Sequence, residues 1–129
     1  MHPILRAGSL YFAIVFAAAF AMGIVRTLVL APRIGPFLAV AIEVPIIVAL
    51  SWVVAGWVLR RWPVAGTGAR LAMGAIAFAL LMVAELALTL ALGGTPAGFI
   101  AAMGTAAGAL GLAGQVAFGM IPGFRSTRP

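Results

Sequence analysis

Long apolar stretches separated by short breaks set the hydrophobic pattern of the chain. They run over residues 10–31, 37–59, 71–92 and 97–121. Each stretch has about 20 residues or more, and at about 1.5 Å per residue each can cross a hydrocarbon layer about 30 Å thick. Proline and glycine fill the breaks, as is typical of turns. The pattern predicts an all-α protein, an integral membrane four-helix bundle that forms a single transmembrane domain over residues 1–129.

The composition supports the same class and excludes several others. Of 129 residues, 65% are hydrophobic and 8% are charged, and the mean hydropathy is +1.25. Four spans with their connections use the whole length, so a separate soluble domain is excluded. The chain has no cysteine, and His2 is its one histidine. Disulfides, thiolate chemistry and histidine metal clusters are therefore excluded, and we expect no metal and no other cofactor.

The basic residues are all arginines, and their placement predicts the topology. Eight arginines oppose two glutamates, which gives a net charge of +6. Most of them flank one side of the predicted bundle, in the amino tail, the middle loop and the carboxyl tail: Arg6, Arg60, Arg61, Arg70, Arg125 and Arg128. Because cytoplasmic loops are enriched in arginine and lysine, we expect both termini to be cytoplasmic. The arginines are scattered and not interleaved with aromatic residues on one face, so we expect no nucleic-acid binding.

The amino-terminal stretch has two interpretations. Arg6 precedes an apolar run, and residues 19–21 have the small-x-small form of a signal-peptide cleavage site. The run continues to residue 31, however, which is too long for a signal core and long enough to span. We therefore expect an uncleaved first helix. Arginine without lysine and abundant alanine and glycine are typical of GC-rich coding and favour the inner membrane of a bacterium, with the lipid bilayer as the main partner.

Each of the first three spans carries an ionisable residue inside its apolar stretch, namely Arg26, Glu43 and Glu85. Counted from the predicted outer end of its own span, each lies roughly 7 to 11 Å deep, and Thr105 of the fourth span falls at the same depth. A charged side chain that faces lipid is penalised by about 2.5 to 3.5 kcal/mol, so such groups turn inward and pair. The matching depths predict a buried Arg/Glu network in the outer third of the bilayer.

The charges of this predicted network do not cancel. One arginine and two glutamates leave one negative charge, so one glutamate is a candidate to bind a proton or a cation. Arg33 in the outer turn offers an alternative, because it can reach down and neutralise the second glutamate. Two interpretations stay open, a set of ion pairs that fixes helix pairing and an ion or proton site.

Two further features concern helix shape and packing. Pro45 lacks an amide hydrogen and removes the backbone bond to the carbonyl of Ala41, so it predicts a kink near Glu43. Gly104 and Gly108 form a small-xxx-small pair, which lets another helix approach closely. The partner is another helix of the same chain or the fourth helix of a second copy, so a homodimer stays open.

Larger polar and aromatic side chains are predicted to contact neighbouring helices or the headgroup layer. Gln115 is expected to hydrogen-bond across helices. Tyr11, Trp57 and Trp62 are expected to form an interfacial aromatic belt. Trp52 is deeper, and we expect it to pack in the core or to line a pocket.

The first half of the chain resembles a group of uncharacterised small bacterial four-span membrane proteins. The resemblance rests on the segments 23–27, 32–35 and 43–45 and on the basic and aromatic boundary 60–62. The resemblance implies the four-span architecture and carries no activity with it. By size and span number the chain is also similar to small multidrug-resistance transporters and to fluoride channels. The motifs differ, because those transporters carry a glutamate in the first span, where this chain has Arg26, and those channels use asparagine, which this chain lacks.

Two functions are compatible with these patterns. The first is a structural or accessory membrane protein in which Arg26, Glu43 and Glu85 hold the bundle in register. The second is a small proton- or cation-coupled transporter or channel, in which Glu43 or Glu85 binds the ion and Pro45 lets the second helix move. An enzyme is not expected, because no nucleophile, metal site or phosphate cradle accompanies the two carboxylates.

Overall fold

The computed structural model describes residues 2–125, which form helices joined by short turns and contain no strand. The first helical rod consists of α1 (Pro3–Val25), a π-helical turn (Arg26–Leu30) and α2 (Ala31–Ile34). The other helices are α3 (Pro36–Arg61), α4 (Thr67–Ala91), α5 (Pro96–Ala102) and α6 (Ala106–Phe124).

Four helical segments are long and apolar enough to cross a membrane. They are Pro3–Ile34, Pro36–Arg61, Thr67–Ala91 and Ala106–Phe124. The prediction of an all-α bundle with four spans is therefore confirmed, and the chain is a multi-pass membrane protein. The last of these segments is the least hydrophobic of the four and has the largest share of buried residues. The predicted tail arginine Arg128 lies outside the described residues.

The long helices form a ring in the order α1, α3, α6, α4, because each packs against the next in this order and α4 packs against α1. Around the ring, α1 runs antiparallel to α3 and α4 runs antiparallel to α6, whereas α3 is parallel to α6 and α1 is parallel to α4. We call the end that holds residue 2, the α3–α4 loop and residue 125 the terminal end. We call the opposite end, which holds α2 and the α4–α5 turn, the far end.

Glycines shape the turns at the start of two spans. Gly35 and Gly66 immediately precede α3 and α4, and their φ angles are 86° and 91°. This left-handed region strains any residue with a Cβ. Pro36 then occupies the first turn of α3, where a missing N–H has no cost. These residues end one span and begin the next within a few positions.

The buried core lies in the terminal half of the bundle. It is formed by the first halves of α1 and α4 and the second halves of α3 and α6, and its largest members are Tyr11, Val58, Leu59, Met73 and Phe118. The far half exposes large apolar side chains such as Leu28, Leu92 and Ile100. Lipid tails are as apolar as these side chains, so their exposure is compatible with a bilayer.

Tyr11 is fully buried and joins α1 to α6. Its ring stacks on that of Phe118 with 4.5 Å between the centroids, and its hydroxyl donates a hydrogen bond to the Phe118 carbonyl at 2.6 Å. In a regular helix this carbonyl would accept from residue 122, but Pro122 has no N–H to donate. The prediction of an interfacial position for Tyr11 is wrong, because α6 offers its hydroxyl a buried acceptor.

The tryptophans stay at the surface of α3. Trp57 is half exposed and meets Trp62 edge to face, with 5.9 Å between the centroids. Trp52 is also 44% exposed, and the guanidinium of Arg125 lies over its ring at 5.1 Å. The expectation that Trp52 packs in the core is therefore wrong.

Glycines bring the helices close together, but at other positions than predicted. A Cβ on Gly74 of α4 would overlap the carbonyl oxygen of Gly119 in α6, and a Cβ on Gly114 would lie 3.0 Å from Val44 of α3. By contrast, Gly104 lies in the turn between α5 and α6, and a Cβ on Gly108 would meet the backbone of that same turn. The pair Gly104 and Gly108 therefore does not pack against another long helix of this chain.

The fourth apolar stretch is broken, which corrects the prediction of one span over 97–121. Its first part is the short helix α5, and Thr105 then adopts an extended conformation as the N-cap of α6. The Thr105 hydroxyl accepts from the Gly108 amide at 3.0 Å and donates to the Ala102 carbonyl at 2.7 Å. A capping threonine satisfies an amide that a new helix leaves without a partner, so it favours a restart over a continuous helix.

Candidate functional site

The candidate site is the group of polar side chains inside the far half of the bundle. Arg26 comes from the first rod, Glu43 from α3, Glu85 from α4 and Gln115 from α6. Each of the four long helical segments therefore contributes one residue to a region that is otherwise apolar.

Arg26 is the first residue of the π-helical turn. The Ala31 amide donates to the Arg26 carbonyl five positions back, which widens the helix at this point. Pro32 follows directly and has no N–H, and its ring would crowd the carbonyl four positions back in a regular helix. A wider turn before Pro32 relieves that crowding. The π turn was not predicted from the sequence, although Pro32 near the end of an apolar run was the signal for it.

Arg26 and Glu43 form a direct ion pair, in which Nη1 of Arg26 donates to Oε2 of Glu43. The side chain of Glu43 is 11% exposed, and that of Arg26 is 35% exposed. The guanidinium runs back along its helix, since a Cβ on Gly23 would lie 3.6 Å from Nη2 of Arg26. The pair therefore connects the first rod to α3.

Glu85 has a different partner. The side-chain amide of Gln115 donates to Oε2 of Glu85 at 2.6 Å, which joins α4 to α6. The backbone carbonyl of Glu85 accepts from the Thr89 hydroxyl at 2.9 Å. The Glu85 carboxyl also interacts electrostatically with Arg26 and Glu43, so it belongs to the same layer as the ion pair.

The structure thus brings together three of the predicted site residues, Arg26, Glu43 and Glu85. It places two others elsewhere. Thr105 is an exposed N-cap at the far end of α6, ten positions or about 15 Å from Gln115 along the helix axis. Arg33 is exposed on α2, and within residues 2–125 the structure records no ion pair for it.

Gln115 is the fourth residue of the candidate site, and it was not predicted from the depth of residues along each span. Gln115 was predicted to hydrogen-bond across helices, but Thr105 was predicted at the depth of the charged residues. The count assumed that the fourth span begins near residue 97, whereas α6 begins at Ala106. The shift moves Thr105 to the far end of α6 and brings Gln115 to the level of Glu85.

Pro45 lies inside α3, which continues as one helix from Pro36 to Arg61. Its missing N–H leaves the carbonyl of Ala41 without its helical donor. That carbonyl is two positions from Glu43, so it adds a polar acceptor close to the ion pair. The side chain of Pro45 itself is exposed.

The four side chains differ in charge balance. Arg26 and Glu43 neutralise each other, whereas Glu85 is hydrogen-bonded by a neutral amide. Arg26 also attracts the Glu85 carboxyl, but it is already paired with Glu43. A buried ionised carboxylate that has no ion pair of its own is costly. The arrangement therefore combines a closed ion pair with a second carboxyl group that can hold a proton or a cation.

Comparison with protein-family models, with curated proteins and with solved structures gives no match to this chain. The residues and their geometry therefore carry the functional argument.

Proposed function

We propose that this is a structural or accessory protein of the bacterial inner membrane, in which the Arg26–Glu43 pair fixes the association of the first two spans. The observation that carries the proposal is the direct contact between the two side chains inside an apolar bundle. Lipid offers no hydrophobic drive for helix association, so packing and polar contacts must supply it. An arginine and a glutamate on different helices specify which helices pair and in which register.

The thermodynamic consequence of this role is an asymmetry between single and double replacements. Removing one partner leaves the other buried and unpaired, which costs about 3 to 5 kcal/mol for a fully buried pair, whereas replacing both removes the orphan. The pair here is partly exposed on the arginine side, so we expect the lower part of that range.

The test is a double-mutant cycle with Arg26→Gln, Glu43→Gln and the double variant, measured by unfolding in mixed micelles. Both single variants should lose stability, and the double variant should lose less than the sum of the two. Arg33→Gln is the matched control, because it removes an exposed arginine of the same region and should leave stability unchanged. Additive effects in the cycle would contradict a structural role for the pair.

A second candidate function is a small proton- or cation-coupled transporter or channel centred on Glu85. The observation that favours it is that this carboxyl group accepts a hydrogen bond from the neutral Gln115 amide, while Arg26 forms its ion pair with Glu43. Ionisable residues inside spans that are not closed into ion pairs mark ion and proton pathways. Pro45, and the Ala41 carbonyl that it leaves without a helical donor, would then allow α3 to move.

Infrared difference spectra of the reconstituted protein between about pH 4 and about pH 9 separate the two candidates. Glu85→Gln and Glu43→Gln assign any protonated carboxyl band. A Glu85 band that appears and disappears in this range supports the transporter, and a folded Glu85→Gln protein without flux in vesicles would establish it. Carboxylates that stay unchanged throughout support the structural role. The number of chains per detergent particle then shows whether that role is performed by a homodimer.

A further inference from the structure

Four arginines of the terminal end, which come from α1, α3 and α4, lie far from both acidic side chains of the sequence. The chain has two acidic residues, and both lie in the far half, where Glu43 contacts Arg26 and Glu85 contacts Gln115. Arg6, Arg60, Arg61 and Arg70, in contrast, all lie at the terminal end. Side-chain anions for them must therefore come from outside this chain.

Two of these arginines line a cleft. It has a volume of about 230 Å³ and is bounded by Pro3, Arg6, Arg61, Trp62 and Pro63. Arg6 lies in the first turns of α1, and Arg61 is the last residue of α3. The Arg61 guanidinium lies over the Trp62 ring at 5.6 Å from its centre. The cleft thus combines two cationic groups with an aromatic and proline wall.

A third arginine adds an unsatisfied donor at the same end. Nε of Arg70 is buried and has no hydrogen-bond partner within residues 2–125. Buried donors without partners are rare, and each calls for a partner such as an ion or a bound group. Arg70 lies in the first turn of α4, directly after the loop that carries Pro63.

We propose that this cleft binds the phosphate group of an anionic phospholipid, with Arg6 and Arg61 as the main ligands. Guanidinium groups bind phosphate oxygens through paired N–H donors. The cleft lies where two spans end, which is the level of the headgroups, and a tryptophan at that level is typical of the interface. Basic pockets between spans are known to take anionic headgroups. A lipid is favoured over free phosphate because the proline and tryptophan wall suits the glycerol backbone.

The proposal makes a positional prediction within a pair of neighbouring arginines. Arg60 and Arg61 are both exposed, but Arg60 does not line the cleft. An arginine near a charged headgroup increases affinity about fivefold. Arg61→Gln and Arg6→Gln should therefore each reduce the preference for phosphatidylglycerol over phosphatidylcholine about fivefold, whereas Arg60→Gln should change it much less. Each variant removes one positive charge, so overall charge is matched.

The experiment measures lipid retention by native mass spectrometry of the full chain released from mixed phosphatidylglycerol and phosphatidylcholine micelles. Thermal unfolding of each variant is recorded first, and because these arginines are exposed, we expect all three to fold. Equal losses for Arg60→Gln and Arg61→Gln would show diffuse attraction and overturn the site. Release of the lipid by millimolar inorganic phosphate would overturn the lipid as its occupant. As a second readout, the Trp57→Phe/Trp52→Phe protein retains Trp62 alone, whose fluorescence should respond to phosphatidylglycerol and not to phosphatidylcholine.

Discussion

The hydroxyl of Tyr11 occupies the place that the amide of residue 122 would take in an unbroken helix. It donates to the Phe118 carbonyl at 2.6 Å while the two rings stack, and Pro122 has no hydrogen to offer that carbonyl. A side chain of α1 thus completes the backbone bonding of α6. The contact links α1 and α6, which lie diagonally opposite in the ring.

Tyr11→Phe should therefore lower stability by more than the loss of one hydrogen bond. It leaves the Phe118 carbonyl buried without a donor, which costs about 1 to 3 kcal/mol. Unfolding in mixed micelles measures the loss. Pro122→Ala supplies the control, because residue 122 then has an N–H for this carbonyl. If Tyr11→Phe is equally costly in the Pro122→Ala background, the substitution of hydroxyl for amide is not the cause.

Gly74→Ala should destabilise the bundle because the added methyl would overlap the Gly119 carbonyl oxygen on α6. Backbone cannot move aside as a side-chain tip can, so we expect a loss of about 1 to 3 kcal/mol from overpacking. Gly68→Ala is the matched control in the same helix, since nothing lies within 4 Å of its added Cβ. The comparison by thermal unfolding should show a lower midpoint for the Gly74 variant alone, and equal midpoints would argue against a close α4–α6 crossing.

Gln115→Leu should alter the environment of Glu85, whereas Thr105→Ala should not. The first substitution removes the amide that donates to the Glu85 carboxyl, and the second removes a cap at the start of α6. Both lower stability, the cap by about 0.5 to 2 kcal/mol. The carboxyl or carboxylate infrared band assigned to Glu85 distinguishes them, because it should shift in the Gln115 variant alone. A shift in the Thr105 variant would return Thr105 to the charged layer.

The length and apolarity of the segments were enough to predict the four spans. The grouping of Arg26, Glu43 and Glu85 at one level of the bundle was also predictable, because each residue of a helix adds a fixed rise along its axis. The break at Thr105 was not predicted from the sequence. The free energy needed to interrupt the helix there is small, because the Thr105 side chain replaces the lost backbone bonds with local hydrogen bonds. Because the break was missed, the prediction placed Thr105 in the charged layer, where the structure has Gln115.

Contacts between helices were harder to predict from the sequence. Many glycines of this chain are compatible with close packing, and the rotation of each helix decides which of them meet a neighbour. Gly74 and Gly119 face each other, whereas Gly104 lies in a turn. Tyr11 was misplaced for a related reason, since its acceptor exists only because Pro122 lies four residues after Phe118.

The low hydrophobicity of α6 has a consequence for how the protein is made. Of the four spans it gains least from lipid, and it has the largest buried share. Its contacts with α3 and α4 therefore supply stabilisation that transfer into lipid does not. Because α6 is also synthesised after both partners, the order of the spans along the chain matches the order in which they can stabilise one another. The first three spans can therefore be in place before α6, which then completes the ring between α3 and α4.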